Sequence, residues 1–205
     1  MKIFIDKNIP YVEHLFANHI DQIEYFSDED FEIENIKEDS VVVVRSTYKT
    51  HGKKIPKSLK FLCSASTGED HIDKKELNKM KIPYAFSTGA NAIAVREYIF
   101  STTALMLQEK KFNKTDSALI IGCGNIGEGV YKTLKYFGFN ISSYDPYKWS
   151  TNSNEDLEGY SLISLHVPFT TPLESEHYTE KLFSSSKFKM CVDGAIIINT
   201  SRGGV

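Results

Sequence analysis

Short apolar runs recur along this chain, separated by stretches in which apolar positions return every three or four residues. "KIFID", "QIEYF", "VVVV", "FLCSA" and "IPYAF" come first, each with the β-branched or aromatic content of a buried strand. Between the first two, "PYVEHLFANH" puts Val12, Leu15, Phe16 and His19 on one face. Pro10 suits a first helical position there, so a helix is predicted. "DKKELNKM" predicts a second helix with Asp73 as N-cap.

"NAIAVREYIFSTTALMLQEK", residues 91–110, predicts a long helix capped by Asn91 and apolar on nearly every face. Such a helix is buried between domains or subunits. The polar "KKFNKTDS" breaks the pattern, so a boundary is expected near residue 91. The expected parts are a substrate-binding domain 1–90, a connector helix 91–112 and a nucleotide-binding domain 113–205.

Beyond the connector, "ALIIG" predicts a strand and "NIGEGVYKTLKYFG" a helix with Val130, Leu134 and Phe137 in register and Gly138 as its stop. "NISSYD", "YSLISLHV" and "GAIIINTS" predict three more strands, with a weak helix around "YTEKLFSSSKF". "STNSNED" is a polar loop, and no internal repeat is present. Strands alternating with helices throughout predict an α/β fold.

Within this pattern "IIGCGNIGEGV" stands out, because it sets Gly122, Gly124 and Gly127 in the order G-x-G-x-x-G. Alone, the spacing is weak, since glycines mark ordinary turns. Here it follows a β-rich run, opens an amphipathic helix and precedes a second strand that ends in Asp145. In a dinucleotide cradle the first glycine permits the tight turn, the second lets backbone approach a pyrophosphate, and the third lets helix pack on strand. A carboxylate at the position of Asp145 accepts from a ribose 2'-hydroxyl and repels a 2'-phosphate, which favours NAD over NADP. Another adenosine ligand, such as a methyl donor, is the alternative.

Composition narrows the partners. The net charge of -3 and pI near 6.1 supply no strong field of either sign, so neither nucleic acid nor a membrane surface is an expected partner. No apolar run reaches spanning or signal-peptide length, and a cytoplasmic location is expected. Cys63, Cys123 and Cys191 lack C-x-x-C spacing, so they are expected as buried free thiols, with no structural zinc. Arginine occurs only at Arg45, Arg96 and Arg202. A guanidinium retained on a lysine-rich background points to carboxylate or phosphate recognition.

The chain resembles the D-2-hydroxyacid dehydrogenase family. The resemblance runs through "MKIFIDKNIPYVEHLF", "VVRSTYK", "FLCSASTGEDHID", "GANAIAVREYIFST", "IIGCGNIG", "YDP", "SLHVPFT" and "GAIIINTSRGGV", nearly the whole sequence. It implies a flavodoxin-like substrate domain, a Rossmann-type NAD-binding domain and a homodimer joined through the connector helix. The implied reaction is NAD-dependent oxidation of a 2-hydroxy acid to the 2-oxo acid. The first-choice substrate is 4-phosphoerythronate, on the route to pyridoxal 5'-phosphate. A second is another acid of the class, such as 3-phosphoglycerate or glycerate.

By position, the resemblance assigns substrate contacts to Ser46, Ser66, Thr67 and Gly68, with Arg45 as the nearby phosphate donor. Ser66 stands where threonine is usual and keeps the hydroxyl. Asn125 and Ile126 match pyrophosphate contacts, Val167 and Pro168 further cofactor contacts, and Thr200, Ser201 and Arg202 contacts near the nicotinamide. Val167 replaces a usual threonine, which removes a side-chain hydrogen bond. Arg202 matches the catalytic arginine, whose guanidinium holds the substrate carboxylate and polarises the neighbouring carbonyl.

The histidine that moves the proton, and the carboxylate that steadies it, lie downstream of that arginine in the family; the sequence stops three residues after it. A truncated nucleotide domain is therefore expected, with its strands 5 and 6 missing and its fourth strand an exposed edge, and a short loop after Asp145. A non-catalytic NAD-binding remnant is the competing expectation. His71 and His166 are the histidines at ligand edges, with His71 a weak stand-in base. Asp70, His71 and Asp73 mimic a metal cluster but fit a strand-to-helix turn better, and no metal is expected. His14, His19, His51 and His177 are expected at the surface or in packing.

Overall fold

A computed structural model describes residues 1–149, 151 and 157–205; most of the "STNSNED" loop lies outside the described residues. The chain divides into two units, Met1–Ala90 and Asn91–Val205. Each is built on its own parallel sheet.

In the first unit the strands are β1 (Lys2–Asp6), β2 (Ile23–Phe26), β3 (Ser40–Val44), β4 (Leu59–Ser64) and β5 (Tyr84–Phe86). They pair in the order β2-β1-β3-β4-β5, all parallel. This is the flavodoxin-like order, whose direction reverses between β1 and β3. Val42 and Val44 on β3 and Leu59 and Leu62 on β4 enter one core with Ile33, Ile72 and Leu77. Ile3, Ile5 and Val43 enter another with Val12. Strands so placed must be apolar on both faces, which is why "VVVV" runs unbroken.

The predicted first helix is shorter than its pattern. Only α1 (Val12–Leu15) forms, followed by a 3-10 segment, Ala17–Gln22, kinked at His19 with φ -134°. Pro10 precedes a left-handed Tyr11 instead of opening the helix. Val12 is buried, but Leu15 is 74% exposed and His19 is exposed, so the apolar spacing did not mark one inward face. α2 (Lys74–Met80) is capped as expected, with Asp73 Oδ1 accepting from Glu76 N at 3.0 Å.

The second unit opens with α3 (Ala92–Gln108), which packs Ile99 into a core shared with α4 (Gly127–Tyr136). Asn91 sits at the N-cap without a side-chain cap bond. Ile93, Tyr98 and Leu105 of α3 are exposed, so within this unit the helix is covered on one side only. On α4, Val130 and Leu134 are buried, while Phe137 has turned outward at the C-terminus before Gly138, φ +82°.

The strands are β6 (Ala118–Ile121), β7 (Ile141–Tyr144), β8 (Leu162–Leu165) and β9 (Ile196–Asn199), in the order β7-β6-β8-β9. A doubly wound nucleotide domain runs 3-2-1-4-5-6, which would set the third strand in sequence beside the second; the order here differs. The third strand in sequence pairs with β6, on the side away from β7. β8 is buried at every residue, which suits a central position, whereas β7 is only partly buried and lies at an edge. The reversal of winding therefore falls between β6 and β8. Only Ser185–Phe188 (α5) becomes helical in the segment predicted as a weak helix. Cys123 is buried; Cys63 and Cys191 are partly so. No described helix is long and apolar enough to cross a membrane.

Candidate dinucleotide and substrate sites

The glycine turn springs from the carboxyl end of β6, beside the reversal point where open α/β sheets bind ligands. Gly122 has φ +91°, and a Cβ there would lie 2.5 Å from the His166 carbonyl oxygen. A Cβ at Gly127 would lie 1.9 Å from the Gly122 carbonyl oxygen. Both positions are closed to any side chain. Gly124 differs, because a Cβ there would meet no protein atom within 4 Å. Neither packing nor a left-handed backbone asks for glycine at 124, so the residue fits a loop that a ligand approaches closely. Asn125 is exposed and Ile126 half-buried on the same turn.

Asp145 follows β7 and locks this turn. Its Oδ2 accepts from Cys123 N at 2.7 Å and its Oδ1 from Tyr147 N at 2.9 Å. Each carboxylate oxygen retains a second lone pair for a ribose hydroxyl. Burial pushes the Cys123 thiol up, so it stays protonated between the glycines.

The loops after β8 and β9 are tied together. Val167 N donates to Ser201 Oγ at 2.9 Å, and Ser201 N donates to Asn199 Oδ1 at 2.8 Å. Thr200 Oγ1 donates to Leu165 O at 3.0 Å and lies 2.7 Å from His166 Nδ1. His166 Nε2 lies 2.9 Å from Ser164 Oγ. The Thr200 hydroxyl has one proton, already given to Leu165, so His166 Nδ1 donates to it and Nε2 accepts from Ser164. Burial pushes His166 down to about 4, which keeps it neutral at pH 7. Asn199 Nδ2 and Val205 N both donate to the Arg202 carbonyl, each at 3.1 Å, and so fix the backbone of the half-buried Arg202.

Val167, Pro168, Thr200, Ser201 and Arg202 thus share one edge of the sheet. Val167 uses its backbone N–H there while its side chain packs on Gly122. The spacing gave no hint of the Ser164–His166–Thr200 chain, although three hydrogen-bonding residues at strand ends were visible in "SLH" and "NTS".

In the first unit the residues named as substrate contacts cluster at the carboxyl ends of β3 and β4. Ser46 N donates to Ser66 Oγ at 2.9 Å, Ser66 N to Ser64 Oγ at 3.2 Å, and Thr67 Oγ1 to Ser87 O at 3.1 Å. Gly68 follows in the same loop, half-buried. Arg45 Nε donates to Asp6 Oδ2 at 2.6 Å, across the reversal point between β1 and β3. Asp6 is wholly buried, and its Oδ1 also accepts from Asn8 N and Nδ2. Asp6 was missed in the sequence; the signal was a carboxylate closing an apolar strand.

His71 is buried with Nε2 2.8 Å from Ser64 Oγ. Asp73 is occupied as a cap, and His51 Nε2 lies 3.1 Å from Asp70 O. These contacts knit a turn. His14 and His177 are exposed.

Residues 93–205 match the family model described as the D-isomer specific 2-hydroxyacid dehydrogenase, NAD binding domain. Among curated proteins, the chain is 32% identical to erythronate-4-phosphate dehydrogenase of Psychromonas ingrahamii, over 99% of this chain and 55% of that protein. It is 33% identical to the protein of that name from Shewanella halifaxensis, over 100% of this chain and 56% of the relative. The chain thus spans about half the length of the curated relatives it matches. Among solved structures, NAD+-bound 3-phosphoglycerate dehydrogenase of Entamoeba histolytica aligns with a TM-score of 0.75 at 24% identity, covering 100% of this chain and 72% of that one. D-lactate dehydrogenase of Aquifex aeolicus, complexed with NAD and lactic acid, aligns at 0.73 and 20% identity, covering 100% and 70%. At these identities the two structures speak to fold alone.

Proposed function

Because the chain belongs to the D-isomer specific 2-hydroxyacid dehydrogenase family, we propose that it serves NAD-dependent oxidation of a phosphorylated 2-hydroxy acid. The observation that carries this reading is the glycine turn. Its first and third glycines are demanded by protein contacts, and its second by nothing in the protein.

The turn and the start of α4 would hold the pyrophosphate against Gly124, Asn125, Ile126 and Gly127, with Asp145 toward the ribose. Pro168 and the 200–202 loop would flank the nicotinamide. When bound, NAD supplies the acceptor for the hydride leaving the hydroxyl-bearing carbon. Arg202 is the cation for the substrate carboxylate, and a guanidinium grips it through two parallel hydrogen bonds. In the first unit, Arg45 supports the phosphate reading, since Asp6 takes only its Nε and leaves the terminal NH2 groups for an anion. Ser46, Ser66, Thr67 and Gly68 form the loop edge beside it.

We place 4-phosphoerythronate first as substrate, in the route to pyridoxal 5'-phosphate, on the names of the curated relatives; 3-phosphoglycerate is the second choice. A homodimer through the exposed side of α3 is part of the same reading. The competing reading is an NAD-binding module without turnover. It is favoured by His71 and His166, whose rings are engaged with the hydroxyls of Ser64, and of Ser164 and Thr200, and so make poor general bases.

Titration with NADH, NADPH and S-adenosylmethionine tests the cofactor. NADH is expected to bind and NADPH at least tenfold more weakly; binding of the methyl donor alone would sink the proposal. NADH production from NAD and 4-phosphoerythronate separates the dehydrogenase from the module.

A further inference from the structure

The loop after β7 and the loop after β8 touch each other, and the sheet order makes that contact informative. In the order β7-β6-β8 the two strands lie two spacings apart, roughly 9–10 Å. Tyr147 is three residues past β7, and Ser175 ten residues past β8. Any contact between them spans the carboxyl end of β6, where the glycine turn begins.

That contact is specific. Tyr147 Oη lies 2.6 Å from Ser175 Oγ, and the Tyr147 ring meets His177 edge to face at 5.3 Å and 81°. Both partners are held from below. Tyr147 N is bound by the same Asp145 carboxylate that locks the glycine turn. Ser175 and His177 ride on a closed loop whose ends are stapled, with Thr170 N donating to Thr179 Oγ1 at 2.9 Å and Thr179 N to Thr170 Oγ1 at 3.1 Å. Compact loops tied at the base in this way are common carriers of function. Despite these anchors Tyr147 is 65% exposed as a residue, an aromatic side chain held in position beside the ribose carboxylate without being packed away.

We propose that Tyr147, clasped to Ser175 and His177, is the aromatic wall on which the adenine of the dinucleotide stacks, and that the clasp closes the adenosine end of the cradle. The inference rests on the dinucleotide reading and deepens it. A flat π-face suits any purine, so the wall contributes affinity while Asp145 selects the ribose. The Ser175 hydrogen bond fixes the tilt of the ring.

The test uses the full chain with two probes, NADH and reduced nicotinamide mononucleotide, which lacks adenosine, followed by calorimetry or fluorescence. Tyr147→Ala is expected to weaken NADH by about tenfold, in the range measured for base-aromatic stacks, and to leave the mononucleotide unchanged. Tyr147→Phe and Ser175→Ala keep the stack and remove its tether, so each is expected to raise the NADH off-rate severalfold with a smaller change in affinity. If wild type binds NADH and Tyr147→Ala binds it equally well, the wall is refuted while the cradle stands. Equal loss for both probes also overturns it, by pointing to a general disturbance of the turn. If wild type binds no NADH, the dinucleotide reading fails and takes the wall with it. Circular dichroism of each variant shows whether a loss reflects unfolding.

Discussion

Arg45 Nε sits 2.6 Å from a carboxylate oxygen of Asp6 that solvent does not reach. One partner is fully buried and the other 34% exposed, so the pair is anchored at its acidic end and open at its basic end. Among the described residues, removing the cation leaves the buried charge with the two Asn8 donors. Arg45→Ala is therefore expected to destabilise the first unit by about 2–3 kcal/mol, somewhat below the value for a fully buried pair. Urea denaturation followed by circular dichroism reads this directly. Asp6→Asn, which removes the charge but keeps an acceptor, is expected to cost less; a larger loss than for Arg45→Ala would show that the pair is not what holds Asp6.

Gly124 and Gly127 separate folding from binding. Gly124→Val places its side chain where no protein atom lies, so stability is expected to change by less than about 1 kcal/mol. NADH binding is expected to fall at least tenfold, because the branched side chain occupies the ground of the pyrophosphate. Gly127→Ala drives a Cβ against backbone and is expected to cost on the order of 3 kcal/mol. Denaturation curves should separate the two variants, with a large loss of stability for Gly127→Ala only, while NADH titrations should show weakened binding for Gly124→Val at unchanged stability.

His166 sets an acid limit on the second unit. Its folded value of about 4 lies below the ordinary 6.5, so between those values the unfolded chain binds a proton that the folded chain refuses. The penalty is absent above about pH 6.5, grows as pH falls and levels off below about pH 4, at up to about 3 kcal/mol. Stability measured from pH 4 to 7.5 should fall more steeply toward acid in wild type than in His166→Asn. Parallel curves would refute the buried neutral imidazole.

The exposed side of α3 offers a test of the proposed dimer. Leu105→Glu or Tyr98→Glu introduces a charge where an apolar face would be covered by a second copy. Sedimentation is expected to show a dimer for wild type and a monomer for either variant, with secondary structure unchanged. A wild-type monomer would exclude this mode of assembly.

Strand positions were readable because β-branched runs of four to six residues have few other uses, and the glycine turn was readable because its spacing joined a strand to a helix. Pairing order was not. Nothing local in "YSLISLHV" says on which side of "ALIIG" it lies; that depends on β8 burying both faces, a property of the assembled sheet. Helix length failed at α1 for a related reason, since a kink at His19 undoes a periodicity that looked continuous. Asp6 and the contact of His166 with Thr200 escaped notice because the partners, Arg45 for Asp6 and Thr200 for His166, lie more than thirty positions away in sequence.

The Asp145 bridge ties the glycine turn to the loop after β7 from within the protein itself. Its two acceptors clamp Cys123 on one loop and Tyr147 on the next, so the entropic toll of ordering these segments falls on folding and not on complex formation. Association should then resemble a key entering a cut lock, with a heat-capacity change no larger than the contact surface alone requires.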